Sequence, residues 1–283
     1  MLSYLHGFHA GNHADVLKHM VLVHQLDYLT RKHTPVTCID THAGAGRYRL
    51  DDDRALQNAE HLGGVARLWG RTDLPPSLAR WLDVVREMQA SPAALTEYPG
   101  SPAIAARLLR ADDPLHLFEL HPREVEALEE HCGRRRRTHI KRSNGFKDAL
   151  GLLPPPSRRG FVLVDPPYEM KTDYEAVVRF IAGVCKRFAT CAVALWYPVV
   201  ERGAVDVLRA SIKAVGATDV LRAELRVAPD TPGIGMTGSG IFIINPAWTL
   251  RAALEESLPV LATALAADGQ DGSFILETLV GDA

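Results

Sequence analysis

The chain predicts an α/β fold, a doubly wound and mainly parallel sheet, on three observations. From residue 101 onward, short apolar runs alternate with segments of helical period, the pattern of successive βα units. Two apolar runs end in an aspartate followed by a glycine or proline turn: PVTCID-THAGAG at 35–46 and GFVLV-DPPY at 160–168. The runs TDVLRAELRV (218–227) and SGIFIINP (239–246) follow one another with no helical segment between them, so they close the sheet as an antiparallel pair.

In chain order, residues 11–32 read as a helix, because Val16, Met20, Val23 and Leu26 recur at helical spacing and Pro35 follows. PVTCID reads as a buried strand ending at Asp40. Residues 47–100 carry charged and apolar residues at helical spacing and no convincing strand before Tyr98. They are expected to form a mostly helical insertion, which divides the main domain into 1–46 and 101–283. SPAIAARLLR then reads as a helix, with Ser101 as N-cap and Pro102 at the first helical position. PLHLFEL, RTHIK, GFVLVD and CAVALWYP read as strands, the first ending near Glu119 and the third at Asp165. The segments starting at Pro122, Gly145, Asp173 and Ala204 read as the intervening helices. No internal repeat, coiled coil or low-complexity stretch interrupts the pattern.

The 283 residues are 47% hydrophobic and 23% charged with a net charge of -2, an ordinary composition for a globular protein. A nucleic-acid binder with this balance must gather its basic residues on one face. The four cysteines, Cys38, Cys132, Cys185 and Cys191, form no CxxC pair. They read as buried or incidental thiols of a reducing compartment. The N-terminus lacks the apolar centre of a signal peptide, and no apolar stretch reaches membrane-spanning length, so a cytoplasmic location without membrane contact is expected. Six histidines between His6 and His33 raise the question of a metal. No acidic or cysteine partner completes a site, and none is expected.

Two motifs carry chemistry. In Asp40-Thr41-His42-Ala43-Gly44-Ala45-Gly46, Gly44 and Gly46 let the backbone turn tightly and approach a ligand beyond the carboxyl end of a strand. Arg47-Tyr48-Arg49 follow where a nicotinamide site would carry a third glycine. Glu119, at the end of the next strand, is the acid placed to accept ribose hydroxyls. It lies far from the glycines in sequence because the insertion intervenes. Asp165-Pro166-Pro167-Tyr168 is the stronger signal. An ionised aspartate offers only acceptors, and the prolines fix the backbone and remove its donors. Asp165 and the Pro166 carbonyl can hold the two N–H groups of an exocyclic amine while Tyr168 stacks on the base. That grip turns the nitrogen lone pair toward an electrophilic methyl.

With those residues in view, the chain resembles the bacterial 23S rRNA adenine-N6-methyltransferase family that modifies adenine 2030. The resemblance is carried by SYLHGFHAGNHADVLKH, DTHAGAGRYRL, YPGSP, FELHP, VDPPYEMKTDY, ALWYPVV and GMTGSG, and covers nearly the whole chain. It implies a Rossmann-like class I methyltransferase domain with a small helical insertion, S-adenosylmethionine as methyl donor and no metal. Asp165 corresponds to the catalytic residue. His19, His42, Ser101, Glu119, Asn144, Gly145 and Asp165 correspond to cofactor contacts, and Tyr4 to the residue that meets RNA. The family pattern has an acid where this chain has Asn144.

The implied partner is 23S rRNA free of most ribosomal proteins. The segment Tyr4 to Lys18, with His6 and His9, is the better RNA candidate. Arg134–Arg137, Lys141-Arg142 and Arg158-Arg159 are basic clusters that can meet phosphates or form a charge-balanced face. The glycine-rich loop 229–240 is expected to order around the target base. Three rival readings remain open: a methyltransferase for guanine, DNA adenine or protein glutamine; a nicotinamide oxidoreductase; and a non-catalytic RNA-binding module.

Overall fold

A computed structural model describes residues 6–281 apart from 232 and 234. Asn12 opens the first long helix, α1 (His13–Leu29), by accepting the backbone N–H groups of Ala14 and Asp15 on its side chain. Helix α1 is buried along most of its length, including the charged Asp15 and Lys18. Strand β1 (Thr37–Asp40) follows. The insertion holds β2 (Arg47–Arg49), α2 (Asp53–Asn58), α3 (Ala66–Trp69), α4 (Pro76–Glu87) and β3 (Glu97–Pro99). The remainder runs α5 (Ser101–Leu108), β4 (Leu115–Glu119), α6 (Pro122–Cys132), β5 (Thr138–Arg142), α7 (Gly145–Asp148), β6 (Gly160–Val164), α8 (Lys171–Arg187), β7 (Ala192–Val199), α9 (Arg202–Lys213), β8 (Val220–Arg226), β9 (Gly238–Ile244), α10 (Leu250–Ala264) and β10 (Ser273–Val280).

The main sheet has eight strands in the order β10-β8-β9-β7-β6-β1-β4-β5. β1, β4, β5, β6 and β7 pair in parallel, while β9, β8 and β10 are antiparallel. Both faces are covered, so the central strands read as continuous apolar runs. Their residues alternate between two cores: Cys38, Phe161 and Leu163 join α1, α5 and α10 on one side. Ile39, Val162 and Val164 meet α8 and α9 on the other. Apolar residues of the insertion, among them Val65, Leu68, Trp81 and Val85, share the first core with Leu17 and Met20 of α1.

The register sets the site. Asp40 pairs with Leu117 of β4 and Leu163 of β6, so Glu119 and Asp165 each lie two residues further along a neighbouring strand. Acids at three carboxyl ends thus surround the turn after β1, where an open α/β sheet has its crevice.

The structure departs from the sequence reading in four places. β2 pairs with β3, so the insertion contains a strand before Tyr98; three residues give period-two patterning too little length to show. Gly100, not Ser101, caps α5, because the Ser101 hydroxyl is drawn to Asp40. The helix expected from Gly145 is one α turn followed by a 3-10 turn over Ala149–Leu152. The chain after residue 248 adds α10 and β10, which extends the antiparallel edge. Among the described residues no helix is long and apolar enough to cross a membrane.

Candidate active site

Two cavities meet at the carboxyl ends of the strands. The first, about 360 Å³, is lined by His19, His42, Gly44, Ser101, Glu119, Asn144, Gly145, Asp165 and Pro166, among others. The second, about 580 Å³, lies beyond it among Asp15, Tyr168, Tyr174, Trp196, Pro198 and Met236. His6, Lys18, Asp165, Pro167 and Glu169 line both, so Asp165 stands in the wall they share.

Helix α1 supplies Asp15, Lys18 and His19 from one face, at i, i+3 and i+4. Lys18 donates to Asp165 Oδ2 at 2.6 Å and lies 2.8 Å from Asp15 Oδ1. Its side chain is 4% exposed, so the ammonium faces the site and is withdrawn from phosphates. Asp15 Oδ2 in turn accepts the Gly11 N–H at 2.8 Å and contacts His6 Nε2 at 3.0 Å. Burial alone would lower the Lys18 pKa, but Asp15 and Asp165 outweigh it and hold it above its ordinary value. Burial likewise opposes ionisation of Asp15, yet His6, Lys18 and His19 pull its pKa well below the usual carboxylate range. With Oδ2 taken by Lys18, Asp165 keeps Oδ1 for a donor arriving in the shared wall; no described residue donates to it.

Tyr168 has a left-handed backbone (φ 50). Its hydroxyl donates to the Trp196 carbonyl at 2.8 Å, and its ring packs on Tyr174 with centroids 4.6 Å apart. Pro166 is buried behind Asp165. The loop 229–240 is held at its ends: Arg202 bonds Asp230 at 2.7 Å, Asp230 accepts from Thr237, and Met236 reaches the second cavity. Tyr4 lies outside the described residues.

The first cavity is built for a ligand with ribose and amine donors. The carboxylate of Glu119 accepts Gly44 N–H on one oxygen and the Leu120 and His121 N–H groups on the other, which leaves room for a further donor. Gly44 (φ 61) and Gly46 (φ 84) use the left-handed freedom of glycine. A Cβ on Gly145 would lie 2.3 Å from the Thr41 carbonyl oxygen, so the backbone passes there only as glycine. Asn144 spends its side-chain oxygen on the Phe146 N–H as cap of α7, while its amide N–H groups remain for a ligand. His19 Nδ1 is bonded to the Tyr98 hydroxyl, but its buried Nε2 has no hydrogen-bond partner among the described residues. Burial lowers His19 to about 3 and His42 to about 4, so both rings are neutral near pH 7. S-adenosylmethionine fits these groups.

Asp40 is the site residue that sequence reasoning passed over. It is 2% exposed and accepts the Ser101 hydroxyl at 2.7 Å and the His42 N–H at 3.2 Å. Burial is the main reason its pKa rises to about 6, against the pull of Ser101. Its place at the end of β1, before the glycine turn, was the available signal. No group of three or more metal-ligating side chains occurs among the described residues.

A five-strand parallel sheet closed by an antiparallel hairpin, with the glycine turn after β1 and Asp-Pro-Pro-Tyr after β6, defines a class I S-adenosylmethionine-dependent methyltransferase. Comparison with known proteins narrows the class. The chain belongs to the family described as "Ribosomal RNA large subunit methyltransferase D, RlmJ", whose pattern matches residues 33–280. It is 47% identical over 269 residues to "Ribosomal RNA large subunit methyltransferase J" of Escherichia coli K12, covering 95% of this chain and 96% of that protein. It is 44% identical to the protein of the same name from Haemophilus influenzae, covering 98% of each. Among solved structures, protein LPL1258 from Legionella pneumophila superposes with a TM-score of 0.87 at 33% identity, covering 95% of this chain and 98% of that one.

Proposed function

We propose that this enzyme transfers a methyl group from S-adenosylmethionine to N6 of adenine 2030 in 23S rRNA. The observation that carries the site assignment is the position of Asp165, in the wall common to both cavities, with Lys18 on one oxygen and the other open. The bound cofactor supplies an electrophilic methyl on its sulfonium. His19, His42, Gly44, Ser101, Glu119, Asn144 and Gly145 would hold it in the first cavity. The second cavity takes the adenine, displaced from its stack. Asp165 Oδ1 and the Pro166 carbonyl accept the two amino N–H bonds, and the Tyr168 ring, pinned through Trp196, forms part of the wall beside the base. Lys18 holds one oxygen of Asp165 and leaves the other turned toward the amine. Solvent takes the amino proton after transfer. Most of the acceleration comes from positioning.

His6, on the rim of both cavities, is assigned with Tyr4 to contact the RNA beside the target. Lys18 acts on the base through Asp165. Residues 47–100 serve as a subdomain that backs α1. We assign 23S rRNA free of most ribosomal proteins as substrate, since a base must leave its stack to enter the pocket, and the cytoplasm as location, in keeping with four free cysteines.

The test is methyl transfer from labelled cofactor to unmodified 23S rRNA, with DNA and small-subunit rRNA in parallel and nucleoside analysis of the product. N6-methyladenosine at one 23S position is the expected result. Label in guanine or DNA overturns the substrate assignment.

A further inference from the structure

The catalytic mouth is acidic. Among the described residues, eight carboxylates line the two cavities, and Lys18 is the one lysine or arginine that does so. That one cation is already committed to Asp15 and Asp165. A polyanion is drawn to a protein by cations that displace its counterions, and the described walls of the two cavities hold no uncommitted one. Attraction for RNA must come from elsewhere on a chain whose net charge is only -2.

Most cations outside the mouth are neutralised within the fold. Arg49, Arg71, Arg107, Arg179, Arg209 and Arg251, for example, each have a carboxylate within ion-pair distance. Of the exceptions, Arg123, Arg142 and Lys147 lie towards the carboxyl ends of β4 and β5 and Lys213 ends α9, while the largest group lies at the opposite end of the sheet, where the parallel strands begin. Arg31, Lys32, Arg134, Arg137, Arg158 and Arg187 are exposed there, and no described carboxylate lies within ion-pair distance of any of them. The turns that carry them are tied together from below. Arg135 donates to the Arg110 and Asp113 carbonyls. Arg110 donates to the Lys32 carbonyl at 2.6 Å, and Arg159 to the Leu29 carbonyl at 2.5 Å. Arg137 and Arg158 hold left-handed backbones (φ 59 and 50), one and two residues before the start of β5 and β6, a conformation that costs on the order of 1 kcal/mol or more each. The exposed cations therefore rise from an ordered platform.

We propose that this amino-terminal rim is a second RNA-binding surface, which holds the phosphate backbone of the substrate at a distance from the target adenine. The proposal rests on the rRNA reading above. Five-residue strands separate rim from mouth, about 17 Å at roughly 3.3 Å per residue. Nucleotides beside the target do not reach the rim, whereas a long folded RNA does. The rim supplies salt-dependent affinity and the mouth supplies base recognition.

The test is the triple variant Lys32→Ala, Arg134→Ala, Arg158→Ala. Filter binding of an unmodified 23S rRNA transcript is followed across roughly 50 to 200 mM salt. The slope of log Kd against log salt should flatten by about two to three, and Kd near 0.1 M salt should weaken at least about tenfold. Affinity for S-adenosylhomocysteine, kcat, and KM for a short oligonucleotide carrying the target adenine should stay at wild-type values. Wild-type Kd and slope in the triple variant overturn the proposal. If the triple variant melts early, Arg134→Ala alone is read the same way, with a slope change of about one. Failure of the wild-type enzyme to methylate 23S rRNA would instead overturn the function reading, and the binding arm would still judge the rim.

Discussion

Asp15→Asn perturbs the buried charge cluster through a residue that lines the second cavity and not the first. In the native site Asp15, Lys18 and Asp165 sum to one negative charge, with the ammonium 2.8 Å from Asp15 Oδ1 and 2.6 Å from Asp165 Oδ2. At an effective dielectric near 20, the Asp15–Lys18 attraction is about 6 kcal/mol before desolvation. Removing one member of a buried pair costs about 3–5 kcal/mol in practice. The asparagine oxygen can still accept the Gly11 N–H, so the lower figure, about 3 kcal/mol, applies. For a domain of this size that lowers Tm by about 6–12 °C. Lys18, held from one side only, no longer fixes Asp165, and kcat should fall about ten- to a hundredfold. Affinity for S-adenosylhomocysteine should hold within about threefold, since Glu119, Asn144 and Gly145 are untouched.

The assays are thermal melting, calorimetric binding of S-adenosylhomocysteine and single-turnover methyl transfer. A double-mutant cycle with Lys18→Met sharpens them. If the two residues act as a pair, the double variant loses less stability than the sum of the singles, by roughly 2 kcal/mol. Additive losses, or an Asp15→Asn enzyme with wild-type Tm and kcat, would refute the reasoning.

Further outcomes follow from the same geometry. Asp165→Ala should lower kcat by about a hundredfold or more while binding of S-adenosylhomocysteine persists; wild-type turnover removes Asp165 from its role. Tyr168→Phe loses the bond to the Trp196 carbonyl, worth about 1 kcal/mol, and kcat/KM for RNA should drop about fivefold with cofactor affinity unchanged. Gly145→Ala forces a Cβ against the Thr41 carbonyl, so binding of S-adenosylhomocysteine measured by calorimetry should be lost or severely weakened. Burial lowers His13 and His42 to about 4 and His19 to about 3, so the unfolded chain binds more protons at these rings between pH 6.5 and 4. Asp40, raised to about 6, takes up a proton in the folded state over part of that window and offsets one of the three. Near pH 5 these four groups alone leave about two protons, so their contribution to stability should fall by roughly 2.7 kcal/mol per unit as pH drops, and His116, also lowered to about 4 by burial, adds in the same direction. A urea midpoint that stays constant or rises from pH 6.5 to 5 contradicts this.

What the sequence revealed and what it hid follow physical lines. The glycine turn, Glu119 and Asp165 were legible because each sits at the end of an apolar strand, where local pattern and ligand geometry coincide. The class was legible for the same reason. Asp40 was not, since a carboxylate at the end of a buried run reads as a boundary, and only the fold shows Ser101 and His42 turned toward it. Lys18 was read as an RNA contact from its neighbours in sequence. Its partner Asp165 is 147 residues away, and no local signal carries such a pairing. The three-residue strand β2 escaped because its partner β3 lies beyond four helical segments. Arg134–Arg137 were ambiguous because sequence shows the acidic helix before them but not which end of the sheet they occupy.

The sign of the charge at the mouth explains why an enzyme for a polyanion carries acids around its site. In the proposed reaction the target nitrogen gains positive charge as it takes the methyl, and that charge would appear beside Asp165. A cluster with one net negative charge, fixed before the reaction and shielded from water, stabilises it without reorganisation. Lys18 tempers the cluster: it lies within ion-pair distance of both Asp15 and Asp165 and offsets one of their two charges. The lysine thus occupies one oxygen of Asp165 and leaves the other to accept, and Asp15 keeps the lysine in place. Phosphates are unwelcome in such a mouth, which favours the proposed RNA surface on the far rim of the sheet.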